Sequence, residues 1–178
     1  MYSQNLIDRL ISCPKGNKGW RDFENICVEI LIFLFVPPLT RPRIQSKTLS
    51  GIERRDAIFP NRNFNNINIW GNIFQELNAR FILCEFKNYE KQKINITEVN
   101  QVRNYLSGRI GKFGIIISTR GPSKNALRLR NKIYREEGKV IIFIYPDNLR
   151  EMIYRKDRGE DPADLIMDII EDFYLEYE

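Results

Sequence analysis

The sequence predicts an α/β fold, a three-layer α/β/α sandwich around a central mixed sheet of about five strands. In the second half of the chain, apolar runs of strand length alternate with amphipathic helical patterns. The first three predicted strands follow one another with no recognisable helix between them. Strands that alternate with helices pair in parallel, whereas a strand meander pairs antiparallel. The 178 residues, 43% of them hydrophobic, contain no internal repeat or linker. We therefore expect one domain over residues 1–178.

Hydrophobic periodicity and helix-breaking residues give the order of the elements. The helix predicted over residues 18–35 ends at Pro37-Pro38, and we expect it to bury one face, made of Trp20, Phe23, Cys27, Ile30, Leu31 and Leu34. A hairpin-like break is expected at Ser50-Gly51, and the asparagine-rich residues 60–78 show no clear pattern. The complete predicted order is helices over 4–11 and 18–35, strands over 43–47, 54–59 and 81–87, a helix over 97–106, a strand over 113–118, a helix over 123–137, a strand over 140–145, and helices over 147–154 and in the tail.

The charge of the chain is unevenly distributed. The net charge is +5, but residues 157–178 hold nine acidic residues and one basic residue, which leaves +13 on residues 1–156. A body this basic is typical of a surface that binds a polyanion, although basic surfaces also serve solubility. The tail over residues 157–178 reads as an acidic amphipathic helix that packs on the body or, alternatively, on a partner.

Residue usage excludes several function classes. The chain has no histidine, which rules out HNH nucleases, phospholipase-D-type enzymes, Ser-His-Asp triads and two-histidine zinc sites. Catalysis would therefore depend on carboxylates, lysine or a thiol. The three cysteines lack CxxC spacing and fit a reducing compartment. No apolar stretch reaches the roughly 20 residues that cross a bilayer, and the N-terminus does not resemble a secretory signal. We expect a cytoplasmic protein without membrane contact.

The strongest signal for a functional site is the segment Phe81–Lys87. Its first four residues are apolar, which predicts a strand that is covered on both faces and central in the sheet. Glu85 and Lys87 are two residues apart, so both side chains point to the same face. Buried ionised groups are costly without partners, which indicates a functional role for this pair. The alternative is a surface ion pair where the strand emerges into solvent.

A second acidic residue, Asp56, lies on the strand that is expected to pair with the Glu85 strand. Two carboxylates from neighbouring strands form a hard oxygen site of the kind that Mg²⁺ prefers. The alternative for Asp56 is a turn acid that Arg54 or Arg55 neutralises. A third acid, Glu24, falls at the margin of the apolar face of the helix over residues 18–35. It either points into the same site or marks the boundary of the buried face.

The order Glu24, Asp56, Glu85-x-Lys87 resembles the PD-(D/E)xK nuclease superfamily. Within it, the chain is similar to Mrr-like restriction endonucleases and their relatives in bacterial antiviral systems, through the motifs Trp20-x-x-Phe23-Glu24, Arg55-Asp56-x-x-Phe59, Cys84-Glu85-Phe86-Lys87-Asn88-Tyr89 and Gln101-Val102-x-Asn104-Tyr105-Leu106. The resemblance covers residues 19–145. One departure is that Asp56 follows Arg55 instead of proline, which the superfamily tolerates.

The resemblance implies a restriction-endonuclease-like fold and a metal-dependent endonuclease that hydrolyses DNA. The implied catalytic side chains are Asp56, Glu85, Lys87, Glu24 and Gln101. Asp56, Glu85 and the backbone carbonyl of Phe86 would hold Mg²⁺, for which Mn²⁺ would substitute. The metal would bind the scissile phosphate and lower the pKa of the attacking water. Lys87 would position that water or stabilise the developing charge, with Glu24 and Gln101 in supporting roles.

Basic residues around this site are candidates for contacts with nucleic-acid phosphates, which carry little sequence information. The candidates are Arg54, Arg55, Arg120, Lys124 and Arg128. Lys124 and Arg128 begin a basic stripe on the helix over residues 123–137, and such a stripe is as often only a solvated face.

The expected partner is DNA. The resemblance also implies a homodimer, or a sensor or NTPase domain in a larger protein, with a role in restriction or anti-phage defence. Three alternatives remain at this point. One is a nucleic-acid-binding module of the same fold without catalysis, another is a nuclease that acts on RNA or branched DNA, and the third is a basic scaffold that binds a protein partner through its tail.

Overall fold

The computed structural model describes residues 1–47 and 54–177. It contains seven α-helices and five strands over these residues. In chain order they are α1 (Tyr2–Ser12), α2 (Trp20–Phe35), β1 (Arg43–Lys47), β2 (Arg54–Pro60), α3 (Ile69–Leu77), β3 (Phe81–Lys87), α4 (Ile96–Tyr105), β4 (Phe113–Ser118), α5 (Lys124–Glu137), β5 (Val140–Ile144), α6 (Pro146–Asp157) and α7 (Asp164–Glu176), with a short 3₁₀ turn at Gly16–Lys18.

The five strands form one mixed sheet in the order β1-β2-β3-β4-β5. β1 and β2 are antiparallel, as are β2 and β3, while β3, β4 and β5 are parallel to one another. β3 is the middle strand, and the five residues between its two ends are all buried. The predicted mixed α/β sheet, with an antiparallel first part and a parallel second part, is confirmed.

Helices cover both faces of the sheet, so the molecule has three layers. The larger hydrophobic core lies between one face and α1, α2, α3, α6 and α7. The smaller core joins the other face to α4 and α5. Successive side chains of a strand point to opposite faces. Accordingly Cys84 and Phe86 belong to the larger core, Leu83 belongs to the smaller one, and Glu85 and Lys87 face the α4 layer.

The asparagine-rich segment folds through a network of side-chain hydrogen bonds and contains α3, which the sequence did not predict. Asn61 Nδ2 donates to the carbonyls of Trp70 (2.9 Å) and Ala79 (3.1 Å). Asn63 Nδ2 donates to Asn61 Oδ1 (2.9 Å). Asn68 caps α3 by accepting from the Gly71 N–H (2.8 Å). Each amide thus satisfies backbone or side-chain groups that would otherwise be costly to bury.

One expectation about α2 is wrong. Trp20 was expected on the buried face, but it is 41% exposed, and the guanidinium of Arg21 lies 5.0 Å from its ring centroid. Trp20 is the first residue of α2, so no preceding turn of the helix covers it. Phe23, Cys27 and the later members of the predicted face are buried. The hairpin-like break expected at Ser50-Gly51 lies outside the described residues.

The acidic tail helix α7 packs on the body of the protein. Ile166, Ile170 and Phe173 are buried in the larger core. The guanidinium of Arg130, on α5, lies 4.5 Å from the centroid of the Phe173 ring. Aromatic side chains and a cation over an aromatic face thus hold α7 against α5. Within the described residues, no helix combines the length and apolar character needed to cross a membrane.

Candidate active site

The candidate site lies where β2 and β3 stop pairing. The paired residues of β2 and β3 run from Pro60–Phe81 to Ala57–Cys84. One residue further on, the side chain of Asp56 replaces a backbone partner, because its Oδ2 accepts a hydrogen bond from the Phe86 N–H (2.9 Å). This contact fixes the Asp56 carboxylate beside the end of the central strand. Asp56 and Glu85 therefore lie next to each other on neighbouring strands, as the sequence predicted.

Glu85 is at the centre of the site and is 1% exposed. Its Oε1 accepts from Lys87 Nζ (2.8 Å) and from Gln101 Nε2 (2.7 Å). Its Oε2 is buried and has no hydrogen-bond partner among the described residues. A buried polar atom without a partner costs free energy, so this oxygen indicates a ligand that the polypeptide does not supply.

The environment of Glu85 disfavours its ionised form. Burial and then the charge of Asp56 raise the pKa of this carboxyl group, which reaches about 7 from an ordinary value of 4.5 against the opposing effect of Lys87. The charge of Glu24 also contributes to the increase. A carboxyl group with a pKa near neutrality, beside a second carboxylate, is typical of functional sites.

Lys87 and Gln101 complete the cluster. Burial lowers the pKa of Lys87, but the charge and hydrogen bond of Glu85 outweigh this effect, so the pKa is raised overall and the amine stays protonated. Lys87 Nζ also donates to Gln101 Oε1 (3.3 Å). Gln101 Nε2 in turn donates to Tyr105 Oη (3.1 Å). Sequence reasoning did not assign a role to Tyr105, although it follows Gln101 by four residues and so shares its helix face.

Close packing of α4 on the sheet sets the height of Gln101 above Glu85. A Cβ atom at Gly114, on β4, would lie only 2.7 Å from the Val102 side chain. Glycine at this position therefore allows the helix to approach the strand. The first turn of α4 is held by a capping box between Asn95 and Glu98. Glu98 also accepts from Tyr89 Oη (2.8 Å), which ties the segment after β3 to the helix.

Glu24 is placed on α2 and is 6% exposed. Its charge acts on Glu85, as described above, so the structure brings it into electrostatic range of the carboxylate pair of Asp56 and Glu85. All five predicted catalytic residues therefore belong to one region of the molecule. Their catalytic roles stay predictions.

The predicted phosphate-binding residues differ in their environments. Lys124 and Arg128 are exposed on α5. Arg120 donates from Nε (2.7 Å) and Nη2 to the backbone carbonyl of Glu90, so its guanidinium partly holds the segment between β3 and α4. The side chains of Arg54 and Arg55 lie outside the described part of the structure.

A thiol nucleophile is disfavoured by the environment of the three cysteines. Burial raises the pKa of Cys27 and Cys84, and it also raises that of Cys13. Thiols with raised pKa values stay protonated at neutral pH and are poor nucleophiles. Of the options left by the lack of histidine, carboxylates and lysine fit the site.

The donor atoms of the site fit a small, hard cation. Mg²⁺ binds through one or two carboxylates and completes its shell with water and phosphate oxygens. Asp56 and Glu85 supply two carboxylates, and the unpartnered Oε2 of Glu85 is an oxygen that such a cation would satisfy. Among residues 1–47 and 54–177, no group of three or more His, Cys, Asp or Glu side chains is arranged to hold a metal. A site made of only two carboxylates, Asp56 and Glu85, is smaller than such a group.

No family model matches the chain. Over 113 residues, or 64% of the chain, the sequence is 30% identical to the protein named "Putative transposon gamma-delta 80.3 kDa protein" from Escherichia coli (strain K12). The chain spans only 16% of the length of that protein.

Proposed function

We propose that this chain is a metal-dependent endonuclease of the PD-(D/E)xK superfamily, in its Mrr-like branch, and that it hydrolyses DNA phosphodiester bonds. The observation that carries the proposal is the buried Glu85 carboxyl group beside Asp56, which has one unpartnered oxygen and accepts from Lys87 with the other. A structural ion pair needs no second carboxylate beside it. A metal site that acts on a phosphate uses one or two carboxylates as ligands, and a nearby cationic side chain stabilises the charge that develops there.

Each residue has a distinct role in this proposal. Asp56, Glu85 and the Phe86 carbonyl would hold Mg²⁺ or Mn²⁺, which when bound supplies Lewis acidity at the scissile phosphate. Lys87, which stays protonated, would orient the attacking water and stabilise charge on the phosphate oxygens. Gln101, held by Tyr105, keeps the Glu85 carboxylate and the Lys87 amine in place.

The wider biological setting is part of the proposal. DNA as the substrate follows from the resemblance and fits the basic body of the chain, which carries +13 over residues 1–156. We propose a cytoplasmic location from the residue usage of the chain. A role in restriction or anti-phage defence, and either a homodimer or a fusion to a sensor or NTPase domain, follow from the resemblance alone.

The test is cleavage of supercoiled plasmid by the purified chain in Mg²⁺, in Mn²⁺ and in EDTA. We expect nicking or linearisation with either metal and none in EDTA. Parallel reactions with RNA and with branched DNA test the alternative substrates. Binding of DNA without cleavage of any substrate would favour a catalytically silent module. Failure to bind any nucleic acid, together with capture of a protein through α7, would favour the scaffold.

A further inference from the structure

A second site, which is basic, lies at the opposite end of β2 and β3 from the carboxylate pair. A cavity of about 190 Å³ is lined there by three arginines and three phenylalanines, together with Pro60 and Asn61. We call it the arginine pocket, and its members used below are Arg43, Arg62, Arg80, Phe64, Phe74 and Phe81. It is smaller than the roughly 300–1,000 Å³ of ordinary small-molecule sites. This volume suits part of a polymer better than a whole free ligand.

The three arginines are available to an anion. Arg43, Arg62 and Arg80 are all exposed, and among the described residues none of them makes an ion pair. The described lining of the pocket contains no acidic residue. Guanidinium groups are suited to phosphate oxygens, which they bind through paired N–H groups.

The backbone that carries these arginines is well fixed. Arg62 lies between Asn61 and Asn63, each 2% exposed and each held by the asparagine network. The N–H of Asn61 also donates to the carbonyl of Arg80 (2.9 Å), which joins the residue before Arg62 to Arg80. A pocket on such a support does not have to order its backbone when a ligand binds, which favours affinity.

Aromatic rings lie beside the arginines. Phe64 is 53% exposed, and its ring centroid is 5.9 Å from that of Phe74. An exposed phenylalanine on a basic surface is a platform on which a base can stack. Inside a duplex each base face is covered by its neighbours, so such a platform favours an unpaired base.

Two members of the pocket, Arg43 and Phe81, project from the same face of the sheet as the candidate active site. Arg43 is opposite Ile58, which is opposite Leu83, and paired residues project to the same face. Phe81 and Glu85 each lie two residues from Leu83 and therefore share that face as well. Phe81 and Glu85 are about 13 Å apart along β3, estimated from the rise per residue. A single strand can span this distance within a few nucleotides.

We infer that the arginine pocket binds an unpaired nucleotide of the nucleic acid, with its phosphate on the arginines and its base on Phe64. This inference rests on the proposed function for the identity of the polymer. It goes beyond that function by assigning a preference for substrates with single-stranded ends, gaps or branches. The pocket would hold the unpaired segment while the duplex part reaches Glu85.

The test measures binding of the full chain in EDTA, by fluorescence anisotropy, to a labelled single strand and to a duplex of the same length and sequence. We expect the wild-type protein to bind the single strand at least about fivefold more tightly, the lower end of what one stacked base contributes. Phe64→Leu, which changes no charge, removes this preference. Tyr154→Leu, at an exposed aromatic on α6, is the matched control and retains it.

A second pair of variants tests the arginines. Arg62→Gln with Arg80→Gln removes the preference and lowers the slope of log affinity against log salt by about 1 to 2. Lys112→Gln with Arg135→Gln removes the same charge from exposed positions outside the pocket and leaves the ratio of the two affinities unchanged. Equal affinity of the wild-type protein for both probes, or an unchanged ratio in both pocket variants, would overturn the inference.

The two proposals fail in different ways. A wild-type protein that cuts DNA but does not prefer single strands would contradict the arginine pocket and leave the nuclease standing. A protein that prefers single strands through Phe64 but cuts nothing in Mg²⁺ or Mn²⁺ would contradict the nuclease and leave the pocket standing.

Discussion

The protonation of Glu85 links pH, stability and metal binding. Its pKa is raised from 4.5 to about 7, so the folded protein favours the protonated carboxyl group. The stability that this group contributes is fully present below about 4.5 and is lost as the pH rises through about 7. The shift corresponds to roughly 3 kcal/mol at most. Because Glu85 is 1% exposed, solvent screening removes little of it.

The perturbation is a change of pH in EDTA, with Glu85→Gln as the comparison. We expect the metal-free wild-type protein to lose up to about 3 kcal/mol of unfolding free energy, relative to Glu85→Gln, between pH about 5 and about 8. Urea denaturation at a series of pH values measures this difference. Taking the difference between the two proteins cancels the contribution of other titrating groups.

Addition of Mg²⁺ provides the second half of the prediction. A cation binds the ionised carboxylate, so its stabilising effect should be large at pH about 8 and weaken about tenfold in affinity per pH unit below about 7. Glu85→Gln should show little effect of Mg²⁺ at either pH. The reasoning would be refuted if Mg²⁺ stabilised the wild-type protein equally at pH about 8 and below about 7, or if it stabilised Glu85→Gln as much as the wild-type protein. A difference in unfolding free energy between the two proteins that does not change with pH in EDTA would also refute it.

Three further predictions concern single side chains. Asp56→Asn keeps an acceptor for the Phe86 N–H but removes a charge that raises the pKa of Glu85, so the midpoint of the pH-dependent stability difference should move to lower pH. Phe173→Ala should destabilise the protein by about 3–5 kcal/mol in urea denaturation, because the α7 contacts are lost. Leu175→Ala, at a side chain that is 83% exposed, is the control and should change stability by less than about 0.5 kcal/mol. Asn61→Ala should cost at least about 1–3 kcal/mol in the same assay, because it leaves buried backbone carbonyls without donors; no change would show that the asparagine network is dispensable.

The strands and their order could be predicted from the sequence because each is an apolar run of the right length between breaking residues. The bounds of β1, β3 and β4 agree with those predicted, and the β3 pattern correctly indicated a central strand. The helix α3 was missed because its segment is stabilised by long-range asparagine contacts, such as that between Asn63 and the Pro38 carbonyl (3.2 Å). Local periodicity does not report such contacts.

The candidate site was predictable to a similar degree. The spacing of Glu85 and Lys87 and the expected pairing of their strand with that of Asp56 placed these residues together, and Gln101 came from the resemblance. The hydrogen bond from the Phe86 N–H to Asp56 was not predictable, because it depends on where the two strands separate. The arginine pocket was also missed, since its arginines come from three separate segments.

The measurement that tests the central claim most directly is single-turnover cleavage of DNA by wild-type protein and Lys87→Ala, each with DNA binding measured beside it. Lys112→Ala, at an exposed lysine, is the matched control. We expect metal-dependent cleavage by the wild-type and control proteins, and a loss of at least about a hundredfold in rate for Lys87→Ala with binding retained. Cleavage at an undiminished rate by Lys87→Ala would contradict the account, as would a wild-type protein that binds DNA and never cuts it in Mg²⁺ or Mn²⁺.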